Sequence, residues 1–94
     1  MRARRVDSNH ADIVAGLRSV GARVLDLSAV GKGCPDLAVA FRGRCTMLEV
    51  KRSDGPPSKA QQNDAQREFQ ASWAAPYVVV RTIEDALVAI GAES

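Results

Sequence analysis

The chain has 94 residues, 46% of them hydrophobic and 26% charged, and a formal net charge of +2. These proportions belong to an ordinary globular protein, so wholesale disorder is excluded, and the length suits one domain spanning 1–94 with a single core. No apolar run approaches the roughly 20 residues of a membrane-spanning helix, so no membrane segment is expected.

Charge is unevenly distributed. Residues 1–59 carry eleven Lys/Arg against six Asp/Glu, whereas residues 60–94 carry two against five. A basic first part suits a polyanionic partner, with an ordinary solvated surface as the alternative. The basic start "MRARR" is followed by no apolar h-region. A secretory signal is therefore not expected, and a cytoplasmic protein with reduced thiols is. Cys34 and Cys45 form no CxxC and have no partners at metal spacing, so they read as small core-compatible residues rather than zinc ligands.

In chain order, residues 7–20 predict a helix, with His10, Ile13, Val14 and Leu17 on one face and Gly21 as the stop. Residues 22–30, "ARVLDLSAV", predict a strand, and "KGCP" breaks it. "DLAVAFR" and "CTMLEVK" predict two strands about a Gly43-Arg44 turn, and "RSDGPPSK" a loop. Residues 62–74 predict a helix with Phe69 and Trp73 on its apolar stripe, and "PYVVVRT" a fully buried strand. Thr82 caps a last helix, "IEDALVAI", with Asp85 at its third position and Gly91 just past its end. The resulting order, α-β-β-β-α-β-α, predicts an α/β fold with a mixed sheet flanked by helices.

The hairpin carries three charges in its most strand-like segment: Asp36, Glu49 and Lys51. A two-residue turn at Gly43-Arg44 sets Asp36 opposite Lys51, with Glu49 diagonal to it on the same face. A turn at Arg42-Gly43 sets Asp36 directly opposite Glu49. A three-residue loop sends Asp36 to the other face. Two carboxylates converging at a strand end suit a hard divalent cation, whose shell the Val50 carbonyl could complete. A lysine beside such an ion can orient a water or balance charge on a phosphorane-like transition state, which favours phosphodiester hydrolysis. A surface Glu–Lys pair beside a Pro-Asp turn is the bland alternative.

"PD" at 35–36, twelve intervening residues, then "EVK" at 49–51 resembles the PD-(D/E)XK nuclease signature. More narrowly, "GCPDL…LEVK…Q…W…VVVR" is similar to the VRR-NUC and phage Holliday-junction-resolvase-like branch, over nearly the whole chain. The resemblance implies a restriction-endonuclease-like core, with Asp36 and Glu49 as Mg²⁺ or Mn²⁺ ligands and Lys51 as the catalytic lysine. It also implies a glutamine on the following helix, best matched by Gln66, which shares a stripe with Phe69 and Trp73. An acid on the first helix is implied too. Asp7, which extends the Ile13–Val14–Leu17 face through His10, is the favoured match as that catalytic acid, while Asp12 lies about 200° from His10 around the helix and points away. Asp7, Ser8 and Asn9 are equally good N-caps. His10 stands where relatives often have glutamine, with DNA, bound water or the core as its possible neighbour.

Arg2, Arg4, Arg5, Lys32, Arg52 and Lys59 are the candidate phosphate contacts, and they imply no base reader. The expectation is a Mg²⁺- or Mn²⁺-dependent DNA endonuclease, bacterial or phage-encoded and without a small-molecule cofactor. By resemblance it cuts four-way junctions, and since paired symmetric cuts need two sites and a chain this small offers one, a C2 homodimer is expected. The rivals are a nuclease of flaps or plain duplex, a non-catalytic nucleic-acid-binding module on the same fold, and a small α/β interaction domain.

Overall fold

A computed structural model describes residues 8–51 and 64–93. Along them run α1 (Ser8–Ser19), β1 (Arg23–Asp26), β2 (Leu37–Phe41), β3 (Arg44–Val50), α2 (Asp64–Ser72), β4 (Tyr77–Val80) and α3 (Ile83–Ile90). The expected element order is therefore present. The strands form one sheet in the order β1-β2-β3-β4, antiparallel across the first three and parallel between β3 and β4. The sheet is mixed, and the fold is α/β.

Alternation along the strands divides the sheet into two faces. Val24, Leu37, Val39, Leu48 and Val80 point to one face and are buried there against Ile13 and Leu17 of α1 and Ala86 and Ile90 of α3. The two helices approach closely because residue 16 is glycine: a Cβ there would lie 2.3 Å from Ile83 Cδ1. Thr82 Oγ1 accepts the Asp85 N–H at 3.0 Å, and Gly91 closes α3 with a left-handed φ of 88°, so both expected caps are present. The opposite face carries Glu49, Met47 and Tyr77 by register. There α2 docks through Phe69, whose ring lies 6.1 Å from Tyr77 and 5.1 Å from Trp73.

Three sequence expectations need correction. The strand expected over 22–30 stops at Asp26, because its carboxylate turns back to accept both the N–H and the hydroxyl of Ser28, at 2.9 and 2.6 Å. The hairpin turn lies on Arg42-Gly43, not Gly43-Arg44: both residues have positive φ, 52° and 81°, and Phe41 pairs with Arg44. Two left-handed residues make the type I′ geometry that matches strand twist, and the Arg42 guanidinium sits 4.7 Å above the Phe41 ring. Finally, β4 is not buried on both faces. Val80 is buried, but Val79 is 38% exposed, because it lies on the opposite face of an edge strand from α1 and α3.

Two element ends also shift. The helix expected over 62–74 ends at Ser72, and its first two expected residues lie outside the described ones. β4 ends at Val80, because the Arg81 N–H goes to Asp85 and Thr82 begins the cap of α3.

Candidate active site

The Arg42-Gly43 turn decides the register. Leu37 pairs with Leu48, so Asp36, one residue earlier, stands opposite Glu49. Two contacts hold Asp36 there: its carbonyl accepts the Leu27 N–H at 2.7 Å, and its Oδ2 accepts the Val50 N–H at 2.8 Å. The acid on the approach to β2 is thereby tied to the strand that carries the other acid.

Glu49 is only 2% exposed. Its Oε2 accepts Gln66 Nε2 at 2.5 Å and lies 3.6 Å from Lys51 Nζ, which in turn donates to Gln66 Oε1 at 3.2 Å. Glu49, Gln66 and Lys51 thus close a ring of polar contacts. Gln66 is the polar member of the α2 stripe, and Phe69, one turn on, anchors the helix through its aromatic neighbours. Glu49 Oε1 is buried with no hydrogen-bond partner among the described residues. Orphaned buried oxygens are uncommon and ask for an explanation.

Electrostatics agree with that geometry. Burial, and next the negative charge of Asp36, push the Glu49 carboxyl up from 4.5 to about 7; Lys51 and the Gln66 hydrogen bond pull it only partly back. Cys34 lies near enough to feel both acids: its thiol is raised first by burial, then by Asp36 and Glu49. A high thiol pKa keeps Cys34 protonated and unreactive at neutral pH.

Those features fit a hard divalent cation. The unpartnered Glu49 oxygen and the opposed Asp36 carboxylate are oxygen donors whose combined charge is matched, among the described residues, only in part by Lys51. Among the described residues no group of three or more His, Cys, Asp or Glu side chains assembles. A cation here would take one or two carboxylates, with the rest of its shell from water and substrate, as Mg²⁺ commonly does. Val50, whose N–H is held by Asp36, lies between Glu49 and Lys51 at the end of β3.

Of the residues singled out by sequence, Asp36, Glu49, Lys51 and Gln66 come together. His10 does not join them: its Nε2 lies 3.3 Å from Asp26 Oδ2, at the end of β1. Lys32 is exposed in the turn after β1 with a φ of 58°. It lines an open groove of about 460 Å³ together with Ala65, Glu68, Phe69 and Ser72. Asp12 is exposed, as expected. Asp7, Arg2, Arg4, Arg5, Arg52 and Lys59 lie outside the described residues.

One residue at the site escaped the sequence reading. Asn9, weighed there only as a helix cap, sends its side-chain amide to the carbonyls of Lys51 and Arg81, at 2.8 and 3.2 Å. Its partners are 42 and 72 residues away in sequence, so no local pattern could have found them.

Among the described residues no helix is long and apolar enough to cross a membrane. Comparison of the chain with protein-family models, with curated proteins and with solved structures gives no match.

Proposed function

We propose that this chain is a divalent-metal-dependent DNA endonuclease that cuts phosphodiester bonds in branched DNA, four-way junctions first among them. The observation that carries the reading is the polar ring of Glu49, Gln66 and Lys51 with Asp36 opposite Glu49. Its residue types and order are those of the PD-(D/E)XK signature that the sequence resembles.

Asp36, Glu49 and the Val50 carbonyl would hold Mg²⁺ or Mn²⁺. When bound, the ion supplies Lewis-acid activation of water and of the phosphoryl oxygens. The chain's own residues do the rest. Asp36 is held opposite Glu49 by the Val50 N–H. Gln66 orients two groups at once, donating to Glu49 and accepting from Lys51. Lys51, largely buried and so less screened by bulk water, would set its ammonium against the negative charge that develops on the reacting phosphate. Lys32, Arg52, Lys59, Arg4 and Arg5 would neutralise flanking phosphates, and the binding would weaken with salt accordingly.

Two symmetric cuts in a four-way junction need two sites, so the working form is a C2 homodimer. The reading carries a cytoplasmic place, with bacterial or phage DNA. A panel of labelled four-way junction, flap and duplex substrates tests it, with Lys51→Ala and Asp36→Ala alongside wild type. Preferential junction cleavage, slowed at least about a hundredfold but still measurable in both variants while binding persists, is the expected result. Equal cutting of all three substrates favours a structure-tolerant nuclease. Binding without cleavage by wild type favours a non-catalytic module.

A further inference from the structure

Asn9 sits on the first turn of α1, and its amide bridges the residues that directly follow β3 and β4. Just past β3 the Lys51 N–H donates to the Val80 carbonyl at 2.9 Å. The Arg81 N–H goes to Asp85 Oδ2 at 2.9 Å, and Thr82 starts α3 by accepting the Asp85 N–H. The carbonyls of Lys51 and Arg81, each one residue past its strand, both accept from this one amide, which has two protons to give. Lys51 is thus gripped on each side of its α-carbon: its N–H by Val80, its C=O by Asn9.

We propose that Asn9 is a positioning residue for Lys51. By fixing the Lys51 main chain just past β3, it holds the ammonium against Gln66 Oε1 and Glu49 Oε2. The contribution of α1 to the site is therefore made by a neutral double donor at residue 9. Residue chemistry at this position is narrow. Aspartate has the same shape but no donor, and it would oppose two carbonyls; serine has one donor; glutamine is a methylene too long. The importance of Asn9 for catalysis rests on the nuclease reading, whereas its hold on Lys51 does not.

The test uses the full chain with Asn9→Ala, Asn9→Asp and Asn9→Ser, each at a temperature where circular dichroism shows it folded. On a four-way junction with Mg²⁺, kcat falls about 10- to 100-fold in Asn9→Ala and Asn9→Asp and less in Asn9→Ser, with KM within about threefold. In a Lys51→Ala background, Asn9→Ala causes no further loss, because the residue acts through Lys51. A role in stability alone would leave kcat of the folded variant intact. Unchanged kcat in Asn9→Ala, or an equal loss with and without Lys51, overturns the proposal. A second readout needs neither metal nor DNA: the side-chain amide signals of Gln66, which report its bonds to Glu49 and Lys51, move in every folded Asn9 variant. If they stay in place, the proposal fails even where wild type cleaves. If wild type cleaves nothing but these signals move, the nuclease reading fails and the positioning role stands.

Discussion

Asp36 and Glu49 stand directly opposite each other across the β2–β3 hairpin, and the Val50 N–H locks the Asp36 carboxylate in that register. Two acids so placed repel, and one of them is buried. Among the described residues that repulsion is met by Lys51, 3.6 Å from Glu49, and by proton uptake on Glu49.

That uptake makes stability depend on pH in a definite direction. The Glu49 carboxyl is raised in the folded state from 4.5 to about 7, so the folded chain binds the proton more tightly than the unfolded chain. Its contribution is complete below about pH 4.5 and is lost as pH rises through about 7. The size of the loss is on the order of 3 kcal/mol in metal-free protein. Urea denaturation from pH 5 to pH 8 should show this decline, and Glu49→Gln should flatten it. An identical slope in both proteins would show that the proton binds elsewhere.

A divalent cation should reverse that decline. Bound only to the folded chain, Mg²⁺ or Mn²⁺ at a hundredfold excess over its Kd adds about 2.7 kcal/mol. The cation competes with the proton on Glu49, so the rise in Tm should be larger at pH 8 than at pH 5. Asp36→Asn should abolish most of it at both values. A rise of equal size in Asp36→Asn would place the ion away from this site.

Gln66 bridges the acid and the lysine, so its loss should affect rate more than fold. Each hydrogen bond to a charged partner contributes about 1.5–3 kcal/mol. Gln66→Ala should therefore lower kcat about 10- to 100-fold. Gln66→Glu should do worse, since it sets a third acid against Glu49. Single-turnover cleavage of a labelled junction measures both, and activity close to wild type in Gln66→Glu would remove Gln66 from the site.

The α1–α3 contact offers a test of the scaffold. Replacing Gly16 with alanine gains about 1 kcal/mol of helix propensity. The new Cβ, however, would fall 2.3 Å from Ile83 Cδ1 and 2.5 Å from Cγ1, and overpacking of that kind costs about 1–3 kcal/mol. Gly16→Ala should therefore destabilise in urea titration, and Gly16→Ala with Ile83→Ala should be less destabilised than the two single losses added together. A gain in stability for Gly16→Ala alone would mean that Ile83 moves aside freely.

Much of this was readable from sequence because local signals agree with the global fold. The order of elements, the Ile13/Leu17 face, the Thr82–Asp85 cap and the convergence of Asp36, Glu49 and Lys51 follow from spacing, whereas Gln66 enters through the family resemblance. The hairpin register did not, since Gly43 fits either two-residue turn; Arg42 adopting a positive φ decides it. Strand ends were misjudged where side chains intervene, as Asp26 does by bonding Ser28 and Asp85 by bonding Arg81. The part of α1 was the hardest to read. His10 turns to Asp26, and Asn9 acts on carbonyls distant in sequence.

The most direct test of the central claim is cleavage of a labelled four-way junction by the wild-type chain and by Asp36→Asn, with Mg²⁺ titrated from none to millimolar. Wild type should cut only when Mg²⁺ is present, and Asp36→Asn should bind the junction yet cut at least about a hundredfold more slowly. Cleavage by wild type in the presence of a chelator, or equal cleavage by both proteins, would contradict a metal-dependent site built on Asp36 and Glu49.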